Sequence, residues 1–401
     1  MAVFSTQLRI SDEEYRARCD HLLARIRAQS FAGVVLFDRD YILYYTGFAF
    51  IPTERPIVFV LSQEGERRLL VPRLELEHAQ ANALVDQVAH YLEYPGDPHP
   101  MQIMARMLGE MGLIGRPIGA DEDGYPWILG YRGPALSDLT GAAVTRIRAF
   151  VEDQMMIKSP SEIALIRESV RWASLAHSLL QRYTCVGATE TEVSQRASNE
   201  ANLAMLNAIG PIYRAHNAFS GGPSAGYRGQ IGRNSAIPHA LAANITFQPG
   251  DVLVTGAGCP VWGYESELER TMIIGPATDE QRHLFDHMLA LQDAAFAAIR
   301  PGVRCADVDR AVREVFTDRN LLPYWKHHSG HAIGLRYHEG PFLDEGDQTV
   351  IQPGMVFTVE PGLYVPGIGG FRHSDTVVVT QDGIEVLTYY PRDLASLIIP
   401  I

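Results

Sequence analysis

The stretch GYESELERT, residues 263–271, sets glutamates at every second position: Glu265, Glu267 and Glu269. In a strand, side chains alternate between faces, so the three carboxylates would share one face while Ser266, Leu268 and Arg270 take the other. Like charges that close raise one another's pKa unless cations or hydrogen-bond donors offset them. A solvated edge strand whose charges guard against aggregation is the plain explanation. The flanks argue against it: DVLVTGAG (251–258) precedes and MIIG (272–275) follows, both apolar enough for buried strands. Acids inside such a frame predict a site.

At 401 residues the chain exceeds one ordinary core, so two domains are expected. SDEE at 11–14 reads as a capping box, with Ser11 as N-cap and Glu14 reaching back, opening an amphipathic helix. GVVLF, PIVFVL and RRLLVP follow as strands, so the first third alternates helix and strand. A sharper signal is IKSPSEIALIRES, with Ser159 as N-cap, Pro160 at N1 and Glu162 at N3. The boundary goes just before it, giving an α/β domain over 1–156 and a second domain over 157–401. Further helices start at Thr189 and at TDEQ (278–281); the glutamate segment, MVFTVEPGLYV (355–365) and DTVVVT (375–380) are strand candidates. Runs of helices against runs of strands predict α+β for this half.

A formal net charge of −13 and a pI near 5.5 disfavour nucleic acid or an anionic membrane as partner. Cys19, Cys185, Cys259 and Cys305 form no C-x-x-C pair, so neither a zinc ribbon nor a disulfide framework is indicated, and a reducing compartment fits best. MAVFSTQLRI lacks a basic segment followed by an apolar run, and no apolar stretch reaches membrane-spanning length. A cytoplasmic protein is expected.

In order, the second half holds IPHALAANITFQPGD (237–251), GYESELERTMIIG, HHSGHAIGLRYHEGP (327–341), MVFTVEPGLYVPG (355–367) and GGFRHSDTVVVTQDG (369–383). Together these resemble the pita-bread family of creatinases, prolidases and Xaa-Pro aminopeptidases. The resemblance implies an N-terminal creatinase/prolidase-like α/β domain followed by a pita-bread catalytic domain. Its peptidase branch binds two divalent ions through two aspartates, a histidine and two glutamates. Those positions fall here on Gly256, Glu267, His331, Glu360 and Ser374, so two ligands are lost and one is altered. His373 and Asp375 flank Ser374, but adjacent strand positions point to opposite faces. The resemblance therefore implies no metal cofactor, with a divalent ion such as Mn or Co as the alternative.

Creatinase, of the same fold, uses no metal, and its LERT segment matches residues 268–271. That match implies His239 as general acid/base, Glu269 and Glu360 as catalytic partners of the substrate, and His331 as an assisting catalytic group. Arg55, in TERPIVFVL, falls where creatinase's partner subunit supplies a carboxylate-binding arginine, which implies a homodimer. Creatinase's other carboxylate-binding arginine falls on Phe342, while His338 falls where the peptidases hold a substrate-binding histidine. Glu265, Glu267, His338 and His373 complete the expected substrate contacts. The stretch SGGPSAGYRGQIGRN (220–234) is glycine-rich and basic, a lid or a surface loop. The function expected is metal-independent hydrolysis of a C–N bond in a small carboxylated nitrogen compound. An Xaa-Pro dipeptidase or aminopeptidase with an altered metal site is the alternative, and a non-catalytic binding module the third reading.

Overall fold

The structure, a computed structural model, describes residues 8–126, 130–210, 212, 216 and 221–401. The chain divides into two compact units, Ile10–Gln154 and most of Met155–Ile401. In the first, six strands run in the order Gln87–Tyr91, Arg67–Pro72, Val58–Ser62, Gly33–Leu36, Ile118–Ala120, Val144–Arg146. The three expected strands are all in it. Helix Pro100–Glu110 repeats Met101, Met104 and Leu108 at helical spacing, and that face packs with Val35, Val58, Val60, Leu70 and Ile118. Ser11 caps helix Asp12–Ala28 by accepting the Glu14 N–H, while the Glu14 carboxylate takes Arg18.

The second unit is built on an antiparallel sheet. Its strands lie in the order Glu339–Leu343, Gly330–Ala332, Val356–Val359, Ser374–Val379, Leu268–Glu269, Gly256–Gly258, Ser224–Gly226, and Ile384–Val386 pairs with Ser374–Val379. Helices Pro160–Tyr183, Glu190–Ile209, Asp279–Ala298 and Cys305–Asp318 belong to the same unit. The boxes Ser159/Glu162 and Thr278/Gln281 form as the sequence reads, and Thr189 caps its helix. Among the described residues, no helix is long and apolar enough to cross a membrane.

Two strand expectations and one loop expectation are corrected. Only Leu268–Glu269 of the glutamate segment joins the sheet. Ahead of it the chain turns sharply at Trp262 and Gly263, both at positive φ, and Glu267 has both backbone groups on the Thr376 hydroxyl, at 2.9 Å each, in place of ladder bonds. After Arg270 the chain changes sheet, since Thr271–Ile274 pairs with Val252–Val254 and Ile398–Ile399. MVFTVEPGLYV is two strands, Val356–Val359 and Gly362–Val365, because Pro361 cannot donate to a ladder. The stretch read as lid or loop contributes the strand Ser224–Gly226, with Ser220 outside the described residues.

Candidate functional site

Neighbouring strands of one sheet bring the chemistry together. Glu269 pairs in register with Ser374, Leu268 with Ala257, Val359 with Asp375, and Ala332 with Phe357. Glu267, Glu360, His331 and Gly256 therefore sit at or beside the ends of adjacent strands. A register irregularity between His331 and Ala332 re-aims the histidine, and a Cβ on Gly330 would run into the Thr358 carbonyl.

His331 Nδ1 lies 3.0 Å from the Ala332 carbonyl, so that nitrogen carries the donated proton. Its Nε2 is buried and 3.2 Å from Glu360 Oε1, yet among the described residues it is not aligned for a hydrogen bond. Glu267, His331 and Glu360 each offer a ligand atom, all within 4.8 Å of one another. With its Nε2 proton displaced, the imidazole together with the two carboxylates would fit one divalent ion. They do not fit two. Gly256 has no donor, and Ser374 Oγ gives its proton to Glu267 Oε1 at 2.6 Å.

The charges of the cluster are otherwise balanced by protein. Burial raises the Glu267 carboxyl, and the neighbouring Glu360 and Glu269 raise it further. Burial opposes the charge on His331, but Glu360 and Glu267 hold it up at about 9. Glu360 is held low against its burial by His331 and Arg372. Two guanidiniums cover Glu269: Arg372 grips both oxygens and Arg228 Nη2 lies 2.9 Å from Oε1. Arg372 is steadied in turn by the Tyr364 hydroxyl, which His327 Nε2 meets at 2.8 Å.

These contacts sort the expected residues. Glu267, His331 and Glu360 converge, and Glu269 lies beside them, but its oxygens face arginines and are not open to a cationic substrate as expected. His338 stacks on His331 with ring centroids 3.8 Å apart; burial, then His331, pushes it down to about 4. His239 is exposed on a turn after the 3₁₀ helix Gly232–Ala236 and lies outside the trio, within electrostatic reach of His338. Glu265 lines a cavity of about 480 Å³ with Arg228, Gly256, Gly258, Glu269 and Tyr337, and burial raises its carboxyl to about 7. His373 is corrected: it is wholly buried, with Nδ1 accepting the Thr271 N–H and Nε2 on the Arg392 carbonyl, so no nitrogen is left for substrate. Arg55 lies in the first unit, its guanidinium paired with Glu54 and Glu93.

Sequence reasoning missed Arg228, Arg372 and Tyr337, whose hydroxyl end reaches Glu267. Arg372 was findable: a basic residue between apolar strands demands a buried acid. Arg228 carried only the weak signal of a basic residue among glycines.

Residues 164–381 match metallopeptidase family M24, and residues 18–132 match the Creatinase/Prolidase N-terminal domain. The chain is 26% identical over 366 residues to an Xaa-Pro dipeptidase of Lactobacillus helveticus, covering 90% of this chain and 93% of that one. The fold superposes on an Xaa-Pro dipeptidase from Bacillus anthracis at TM-score 0.80, 26% identity and 96% and 99% coverage. Dipeptidase PepE from Mycobacterium ulcerans gives TM-score 0.81, 26% identity and 98% and 100% coverage. These relatives favour the peptidase alternative over the creatinase-like reading, and a metallopeptidase family overturns the expectation of no metal cofactor. With the M24 match spanning more than half its length, and the pita-bread sheet carrying the trio, the chain belongs to metallopeptidase family M24.

Proposed function

We propose that this protein hydrolyses the C–N bond of a small peptide, of the Xaa-Pro dipeptide class named for its relatives, with one divalent ion held by Glu267, His331 and Glu360. The observation that carries the reading is the convergence of a His331 nitrogen with the Glu267 and Glu360 carboxylates, their ligand atoms all within 4.8 Å of one another. An ion there supplies Lewis acidity to a substrate carbonyl and lowers the pKa of a water. The chain's own residues hold the geometry. Ala332's carbonyl fixes the His331 tautomer, and Ser374 fixes one oxygen of Glu267. His338, exposed and kept neutral, is the side chain available to donate a hydrogen bond to the substrate.

The test pairs ion content with turnover. Protein reconstituted with Mn, Co or Zn should retain about one equivalent per chain by elemental analysis. It should hydrolyse Xaa-Pro dipeptides, while His331→Ala should lose both ion and turnover. Undiminished hydrolysis by chelated, ion-free protein would refute the metal assignment; failure to cleave any dipeptide when loaded would refute the peptidase reading.

A further inference from the structure

Arg228 follows the strand Ser224–Gly226 and adopts φ 50, a left-handed conformation that is uncommon for arginine. Such strain persists only where the surroundings demand it, and it is met most often at binding sites. Arg228 turns one guanidinium nitrogen, Nη2, onto Glu269 Oε1 at 2.9 Å and Gln230 Oε1 at 3.2 Å. Its side chain is 49% exposed and stands on the wall of the 480 Å³ cavity. Among the described residues, its Nε and Nη1 have no hydrogen-bond partner.

Glu269 is already matched by Arg372, which grips both of its oxygens. Arg228 therefore commits only one nitrogen to Glu269, and its remaining donors stand at the cavity wall. On the same cavity wall stands Glu265, whose carboxylate has no hydrogen-bond partner among the described residues. Ala225, Ala257, Pro260 and the Tyr337 ring supply apolar lining. One guanidinium with free donors and one carboxyl without a hydrogen-bond partner, on walls of small apolar residues beside the trio, suit a compact ligand carrying a carboxylate and an ammonium group.

We infer that Arg228 sets specificity by binding the free carboxylate of a short substrate whose ammonium group meets Glu265. The inference rests on the hydrolase reading for its substrate class, but its binding test does not need turnover. A dipeptide fits this pattern. A C-terminally amidated peptide does not, because it leaves the guanidinium without an anion.

Isothermal titration of the ion-loaded protein with a reduced-bond alanyl-proline analogue, as free acid and as C-terminal amide, measures the clamp directly. The free acid should bind on the order of 10- to 100-fold more tightly than the amide. Arg228→Gln should remove that difference by weakening the acid alone, and Arg228→Lys should recover part of it, since a point charge replaces the fork. Ion content should be the same in all three proteins. In turnover assays the loss should appear in KM more than in kcat. Equal affinity of wild-type protein for acid and amide, or an undiminished preference for the acid in Arg228→Gln, would overturn the inference. If the loaded protein binds the acid selectively yet cleaves no dipeptide, the clamp stands and the hydrolase reading falls.

Discussion

Arg270 and Asp375 form an ion pair at 2.7 Å with neither side chain exposed at all. The arginine also donates to the Pro391, Tyr390, Glu269 and Ser374 carbonyls, and Gln292 and Thr388 donate to the aspartate. With every polar group met, the pair stabilises the point where the chain leaves one sheet for another. Removing one partner strands a buried charge, so Arg270→Met should cost about 3–5 kcal/mol in urea unfolding. The double variant Arg270→Met/Asp375→Leu should be less destabilised than the sum of the single changes; strict additivity would show that the two groups do not interact. Gly256 and Ser374 allow a converse experiment. A Cβ at Gly256 would lie 3.5 Å from Glu269 Oε1, an ordinary contact, so a carboxylate can be built there. Gly256→Asp with Ser374→Glu should raise bound Mn or Co from about one to about two ions per chain by elemental analysis. An unchanged stoichiometry would mean that the missing carboxylates are not what limits the site.

Helix Pro160–Tyr183 buries His177, whose Nε2 meets Thr255 Oγ1 at 2.7 Å and whose ring packs edge-on against Tyr390. Burial, then the charges of Arg270 and His373, pushes its pKa down to about 3. The folded chain keeps this imidazole neutral, while the unfolded chain protonates it below a pKa of about 6.5. Between those values the unfolded state binds the extra proton, so stability is full above pH ~6.5 and falls by ~1.4 kcal/mol per pH unit on acidification towards pH ~3. His373 is depressed in the same direction by burial and Arg270. His177→Gln should make the acid limb of stability against pH shallower by about one proton. If the slope does not change in chemical denaturation at a series of pH values, His177 is not neutral in the folded protein.

At the scale of the whole chain, the trio belongs to one of two units, each with its own sheet. An ion that binds only folded protein stabilises it by about 2.7 kcal/mol at 100-fold its dissociation constant. Added Mn or Co should therefore raise the melting temperature of wild-type protein by several degrees and leave Glu267→Gln/His331→Ala unmoved. Hydrogen exchange read by mass spectrometry should show the new protection in peptides from residues 256–274, 328–343 and 355–380. Protection appearing instead in the sheet of Ile10–Gln154 would place the ion elsewhere.

Local chemistry was legible in the sequence wherever neighbouring residues decide the outcome. Ser159, Pro160 and Glu162 specify a helix start because cap, ring and capping carboxylate all act within one turn. The pita-bread architecture was legible through the resemblance that five ordered motifs carry, and the same motifs mark Glu267, His331 and Glu360, which the folded sheet brings together. The uniform strand through Glu265, Glu267 and Glu269 was not realised, because Thr376, distant in sequence, takes the backbone groups of Glu267. Nor did the sequence reveal how the acids are compensated. Arg228 lies far along the chain from Arg372 and Ser374, and His373 is turned away from the site by partners at Thr271 and Arg392. Burial and pairing across strands depend on distances that only the folded sheet creates, whereas caps and periodicity are written in consecutive residues.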